Sequence, residues 1–90
     1  LNNMPAVTLT VKAEKLSYHI VAGAFRNEEN AQNVYNDLVK SGFKARRIAP
    51  NRHGLYPVLY GSYTTYAEAQ QDLNKIHEVN PDAWLMVKTL

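Results

Sequence analysis

The side chains that could do chemistry in this chain are three histidines, one tryptophan and several serines. His19, His53 and His77 have neither helical nor short ligand spacing, which favours surface histidines over a metal site. The serines lack a recognisable nucleophile context. Because the chain contains no cysteine, thiolate nucleophiles, cysteine-ligated metals and disulfides are excluded. We find no catalytic constellation and predict no enzyme activity, no metal and no cofactor.

Basic residues cluster in one stretch, where Lys44, Arg46, Arg47 and Arg52 occur without an intervening acid. The whole chain carries ten Lys and Arg residues against eight Asp and Glu residues, which gives a formal net charge of +2. So small an excess is weak evidence for a polyanionic partner. The cluster is interpreted as a solvated edge, with phosphate binding as the alternative.

Length and composition predict one soluble globular domain. Ninety residues suffice for one sheet covered by two helices but not for two separate cores. No apolar run approaches the ~20 residues that cross a bilayer, and the N-terminus lacks a signal-type hydrophobic segment. We expect any targeting sequence or membrane anchor to belong to other parts of a parent protein.

A self-match at a constant offset of 38 residues relates the two halves of the chain. Aromatic, glycine and apolar positions recur at this offset, which two copies of one strand–helix unit explain better than chance. The matched pairs are Tyr18 with Tyr56, Gly23 with Gly61, Phe25 with Tyr63, Ala31 with Ala69, Gln32 with Gln70, Tyr35 with Leu73 and Leu38 with Ile76.

Each copy contains the start signal of a helix. Asn27 precedes two glutamates, so a capping side chain and acidic residues lie where a helix has unpaired N–H groups and positive partial charge. Thr65 and Glu68 have the spacing of a capping box. The apolar periodicity then predicts helices over about residues 28–41 and 66–78.

Four short runs predict strands, at residues 18–22, 44–49, 56–60 and 84–88. Gly23 and Gly61 are expected to end the first and third strands. The order βαββαβ predicts an α+β, ferredoxin-like fold, in which a four-stranded antiparallel sheet carries both helices on one face. We assign this domain to residues 17–90.

Residues 1–16 lie outside the repeated unit. Val7, Leu9 and Val11 alternate with polar neighbours as a strand would. This segment is interpreted as a linker, and the alternative is an added strand that pairs with a sheet edge of its own or of a neighbouring chain.

Strand periodicity divides the side chains of the sheet between its two faces. The set expected to face the helices is Ile20, Ala22, Val58, Tyr60, Leu85 and Val87. The set expected to meet water or a ligand is His19, Val21, Leu55, Pro57, Leu59, Trp84 and Met86. Since most of this second set is apolar, the face without helices is predicted to be a binding surface.

Three segments resemble SPOR domains when taken in order. Residues 20–25 (IVAGAF) are similar to the opening of that family, which reads hydrophobic-Gln-hydrophobic-Gly-Ser-Phe. Residues 56–63 (YPVLYGSY) resemble its third strand, and residues 83–87 (AWLMV) resemble its closing strand. The likeness covers about residues 17–89.

The resemblance implies a noncatalytic module of the bacterial cell envelope that binds septal peptidoglycan during cell division. Its ligand would be glycan strands stripped of stem peptides, bound on the helix-free side of the sheet. The positions that match the family's contact residues are Val21, Ala24, Leu55 and Trp84. Only Trp84 keeps the expected chemistry, because Val21 and Ala24 replace hydrogen-bonding residues.

A physical interpretation of such a site adds further candidates. An indole can support the apolar C–H face of a sugar, which makes Trp84 the natural platform, although a large aromatic is also a candidate for the core. His19 would add a hydrogen bond, and Arg46 or Arg47 would approach a lactyl carboxylate. The predicted glycan-binding set is His19, Val21, Ala24, Arg46, Leu55, Leu59, Trp84 and Met86.

Two other functions remain open from the residues alone. An RNA-recognition domain has the same element order and binds RNA on its open sheet face, but the third strand here lacks the basic-glycine-aromatic motif and no nucleic acid is expected. A protein-interaction domain is the other alternative, in which the open face or the N-terminal segment forms a dimer.

Overall fold

The computed structural model describes residues 17–89, which form one sheet and two helices. The strands are β1 (Tyr18–Phe25), β2 (Arg46–Arg47), β3 (Tyr56–Tyr63) and β4 (Trp84–Val87), and the helices are α1 (Glu28–Lys40) and α2 (Tyr66–Ile76). The strand order is β2-β3-β1-β4, with every neighbouring pair antiparallel. The predicted α+β, ferredoxin-like βαββαβ fold is thus confirmed.

Both helices begin at the residues that the capping signals predict. The Asn27 side chain accepts a hydrogen bond from the Asn30 backbone N–H at 3.0 Å. At the start of α2, Thr65 accepts from the Glu68 backbone N–H at 3.3 Å and donates to the Glu68 carboxylate at 3.0 Å. These bonds satisfy N–H groups that have no partner inside the helix. Helix α2 ends at Ile76, two residues before the predicted end, and a turn follows.

The two helices cover the same side of the sheet. Leu73 and Ile76 of α2 pack with Ile20 of β1 and Tyr60 of β3 in the buried core, and Leu38 of α1 packs against the same cluster. Burying these apolar side chains is the main stabilising contribution expected for the fold. Within residues 17–89 no helix lies over the opposite side of the sheet, which we call the helix-free face.

The prediction that Gly23 and Gly61 end their strands is wrong. Strand β1 continues to Phe25 and β3 continues to Tyr63. A β-bulge accompanies each glycine, because Ala22 and Tyr60 have no partner in the β1–β3 register. The glycines leave room for aromatic side chains, since a Cβ at Gly23 would lie 2.8 Å from the Phe25 ring and one at Gly61 would lie 3.2 Å from the Tyr63 hydroxyl.

Strand β2 is shorter than the predicted run over residues 44–49. Only Arg46 and Arg47 pair with β3, opposite Leu59 and Val58. One further expectation needs correction, because Leu55 precedes β3 instead of belonging to it. Val87 pairs with Tyr18, which packs against Tyr66 of α2, so Val87 lies on the helix side as predicted, although it is 66% exposed on the edge strand β4.

The predictions for residues 1–16, a linker or an added strand, lie outside the described residues. Between residues 17 and 89, neither helix has the length and apolar character needed to cross a bilayer.

Alanine at Gly23 should destabilise the protein more than alanine at Gly61. The Gly23 contact is closer, so the Phe25 ring must move, and overpacking of this kind costs about 1 to 3 kcal/mol. Urea denaturation of Gly23→Ala and Gly61→Ala measures the two free energies of unfolding. Equal stability of Gly23→Ala and the wild type would contradict the close approach of the ring.

Tyr63 should make stability fall at alkaline pH. Burial, together with the 2.7 Å hydrogen bond to the Asp72 carboxylate and its negative charge, raises the pKa of Tyr63 above its ordinary value of 10.0. The contribution of the neutral phenol is therefore complete below pH 10.0 and is lost as pH rises toward the folded-state pKa, because the unfolded chain ionises first. Thermal melts from about pH 9 to about 11 should show a smaller alkaline decline for Tyr63→Phe. Parallel declines for the two proteins would refute this assignment.

Candidate functional site

The helix-free face has one row of side chains that crosses all four strands. Trp84 of β4 pairs with Val21 of β1, Val21 pairs with Leu59 of β3, and Leu59 pairs with Arg46 of β2. Directly paired residues point to the same side of a sheet. Ile20 points into the core under the helices, so its neighbour Val21 points to the other side of the sheet. An indole and a guanidinium group therefore occupy the two outer strands, with backbones about 14 Å apart from three inter-strand spacings.

Two shorter rows flank the first one. Met86, His19 and Ser62 pair across β4, β1 and β3, and Ala24 pairs with Pro57. The bulges are essential to this arrangement. They bring Ser62 to the same side as Leu59, three positions away, where strict alternation would direct it toward the helices.

The β1–β3 register is symmetric about the Val21–Leu59 pair. Adding 38 to the number of Val21 gives Leu59, and adding it to Arg46 gives Trp84. The backbone thus presents equivalent positions on the two outer strands. The chemistry at these positions differs, because one is an aromatic plane and the other a positive charge.

Trp84 is available to a ligand. Its side chain is 52% exposed, and its pairing with Val21 places it on the helix-free face. The alternative of Trp84 as a core residue is therefore wrong. Ala24 is also exposed, and Met86 and Arg46 are half-buried.

The expected exposure of three central candidates is wrong. His19 and Leu59 have no exposed surface, and Val21 is only 3% exposed. All three belong to the two inner strands, so side chains on both neighbouring strands flank them. These residues form a closed floor to the surface, and the accessible groups of the row lie on the outer strands.

His19 is buried with both ring nitrogens hydrogen-bonded. Its Nε2 lies 2.6 Å from the backbone carbonyl oxygen of Lys88, and its Nδ1 lies 2.8 Å from Ser62 Oγ. Arg46 Nη1 donates to the same Ser62 hydroxyl at 3.0 Å. The Arg46 side chain therefore extends across β3 on the helix-free face, and a continuous hydrogen-bond chain links β2 to the end of β4.

Two arginines that the sequence treats alike lie on opposite sides of the sheet. Arg47 donates to the Gln32 side chain at 2.8 Å and forms an ion pair with Glu28 at 3.4 Å. Gln32 and Glu28 both belong to α1, so Arg47 faces the helices. Arg46 faces the other way. Only Arg46 can serve a ligand on the helix-free face, because adjacent residues of a strand alternate in direction.

Leu55 was predicted to belong to the site but lies outside the paired rows, whereas Ser62 was not predicted but lies within one of them. Leu55 lies in the turn before β3, where its N–H donates to the Asn51 side chain at 3.1 Å, so it has no place in the paired rows. Ser62 was missed. The signal for it is the 38-residue offset, which relates Ser62 to Ala24, a predicted site residue.

The face combines an aromatic platform, a largely apolar floor and the guanidinium group of Arg46. Such groups favour noncovalent binding of a ligand with apolar faces and negative charge. Within residues 17–89 no group of three His, Asp or Glu side chains is arranged to hold a metal ion.

Comparison of the sequence with models of known protein families gives one match. The sequence model of the SPOR domain matches residues 17–86, which includes every strand up to Met86 and both helices. Searches of curated proteins and of solved structures found no match.

Replacing His19 with leucine should destabilise the fold through unpaired polar groups. The Lys88 carbonyl and the Ser62 hydroxyl lose their buried partner, at a cost of about 1 to 3 kcal/mol. Urea denaturation of His19→Leu measures this cost, and amide hydrogen exchange should accelerate at the end of β4. His53→Leu is the matched control because His53 is exposed, and equal losses for the two variants would contradict the buried role of His19.

Proposed function

The chain belongs to the SPOR domain family, whose members bind peptidoglycan, and we propose that this domain binds peptidoglycan glycan strands on its helix-free face. The family is one of binding domains, so the proposed action is noncatalytic. The proposed ligand is a glycan strand without stem peptides, of the kind formed at a division septum.

The observation that carries the proposal is the exposed indole of Trp84 on the side of the sheet that no described helix covers. A sugar ring has an apolar C–H face, and an aromatic plane can support that face while neighbouring polar groups bind hydroxyls. Met86 lies two residues further along β4 on the same face and extends the apolar surface.

The predicted site divides into contacts and supports. Trp84, Met86, Arg46 and Ala24 have accessible surface and are proposed to touch the glycan. Val21, Leu59 and His19 are proposed to support them from below, because they lack exposed surface. The hydroxyl that Ala24 lacks is present at Ser62, the position related to it by the 38-residue offset.

RNA binding receives less support from the same face. RNA-recognition domains stack bases on aromatic residues of the central strands. On the helix-free side, β1 and β3 carry His19, Val21, Ala24, Pro57, Leu59 and Ser62. His19 alone is aromatic, and it is buried, so these strands have no exposed stacking platform.

The proposed location follows from the ligand. SPOR domains occur in proteins of the cell envelope, and we propose the envelope or periplasm for this domain, as part of an exported or membrane-anchored protein. A weak dimer through the helix-free face would compete with glycan for Trp84. Light scattering with and without glycan distinguishes the two uses of the face.

Trp84→Ala should reduce binding to denuded glycan strands by about fivefold or more, since stacking of this kind contributes roughly 1 kcal/mol or more. Titration of glycan strands into the protein, followed by isothermal calorimetry, gives the affinity. A shift of the single indole's fluorescence in the wild type reports contact directly.

Tyr66→Ala is the matched control. Tyr66 is 55% exposed, comparable to Trp84, but it lies on α2 and packs against Tyr18 on the helix side. The Tyr66→Ala variant should bind glycan with the affinity of the wild type. Unchanged affinity in a folded Trp84→Ala variant would remove the proposed site, and wild-type binding to RNA without binding to glycan would reject the function.

A further inference from the structure

Within residues 17–89, one hydrogen bond holds the Arg46 side chain and leaves its other donors without a partner there. Its Nη1 donates to Ser62 Oγ at 3.0 Å, and no carboxylate within residues 17–89 lies in salt-bridge distance of it. A guanidinium group has five N–H donors in a planar fork that matches a carboxylate. The half-buried Arg46 therefore presents a positive charge to the helix-free face while a neutral hydroxyl restrains it.

The chemistry of the partners determines the direction of this hydrogen-bond chain. The Lys88 carbonyl can only accept, so His19 Nε2 carries a proton and donates to it. Arg46 can only donate, so Ser62 Oγ accepts from it. The Ser62 hydroxyl proton is then free to donate to His19 Nδ1, and every group is satisfied when His19 is neutral with its proton on Nε2.

This chain of hydrogen bonds spans the whole sheet. It runs from Arg46 on β2 through Ser62 on β3 and His19 on β1 to the backbone that follows β4. His19 has no exposed surface, so water does not compete for its bonds. A long side chain held in this way loses less conformational entropy on binding than a free one.

Building on the proposed function, we propose that Arg46 binds the free lactyl carboxylate of a muramic acid residue and that Ser62 and His19 are positioning residues for it. In a glycan strand that keeps its stem peptide, this carboxyl group is an uncharged amide. Removal of the peptide exposes the carboxylate. Arg46 would thus distinguish denuded strands from peptide-bearing ones by charge-assisted, two-point hydrogen bonding.

The positioning role is tested first in the free protein. Ser62→Thr keeps the hydroxyl, whereas Ser62→Val has nearly the same shape without it. NMR of the wild type and Ser62→Thr should show slow rotation of the Arg46 guanidinium and the Nε2-protonated tautomer of His19. Ser62→Val should show fast rotation. A freely rotating Arg46 in the wild type, or His19 protonated on Nδ1, overturns the positioning role without reference to any ligand.

The recognition role is tested with two forms of one probe, denuded glycan strands and the same strands with their carboxylates reduced to alcohols. The wild type and Ser62→Thr should bind the carboxylate form about tenfold more tightly, the size expected for hydrogen bonds to a charged group. Ser62→Val and Arg46→Gln should bind the two forms alike. Trp84→Ala should weaken binding of both forms by the same factor and keep their ratio.

The outcomes separate this inference from the proposed function. Absence of wild-type binding to either form rejects the function, while the NMR result still decides the positioning role. Equal wild-type affinity for the two forms overturns carboxylate recognition and leaves glycan binding intact. A merely structural role of Ser62 would lower both affinities together, so an unchanged ratio in Ser62→Val also overturns the proposal. Arg46→Gln retains the Ser62–His19 bond and covers the case in which Ser62→Val does not fold.

Discussion

The antiparallel pairing of β1 with β3 about Val21 and Leu59 is the constraint on which the rest of the structure depends. Both strands are internal, and each outer strand takes its register from one of them. Trp84 is placed by its pairing with Val21, and Arg46 is placed by its pairing with Leu59. A slip of one residue in either outer pairing would move the indole or the guanidinium group to the helix side, because strand side chains alternate with a period of two.

The two bulges decide which side chains of β3 reach the helix-free face. In an unbroken β3, Leu59 and Ser62 would point to opposite sides, since they are three positions apart. The bulge at Tyr60 adds one residue and returns Ser62 to the helix-free face, where it meets His19 and Arg46. Bulges often redirect side chains next to functional sites. The backbone irregularity therefore creates the hydrogen-bond chain that crosses the sheet.

The helix-free face separates support from contact. Its centre contains a histidine whose two nitrogens are satisfied, and a buried polar group of this kind specifies geometry without the cost of an unmade hydrogen bond. The accessible aromatic and charged groups lie on the outer strands instead. The fold and the proposed binding can thus use the same sheet, because the residues that stabilise the face are not those proposed to touch the ligand.

Local patterns in the sequence determined the helix starts, the element order and the placement of Trp84 on the face without helices, since capping and periodicity involve residues only a few positions apart. Tertiary structure decided how far the strands extend, which candidates are buried and which of two adjacent arginines faces a ligand. These features depend on distant partners: His19 bonds to Ser62 from 43 positions away and to Lys88 from 69. No local pattern encodes a contact between strands that meet only after the chain has folded.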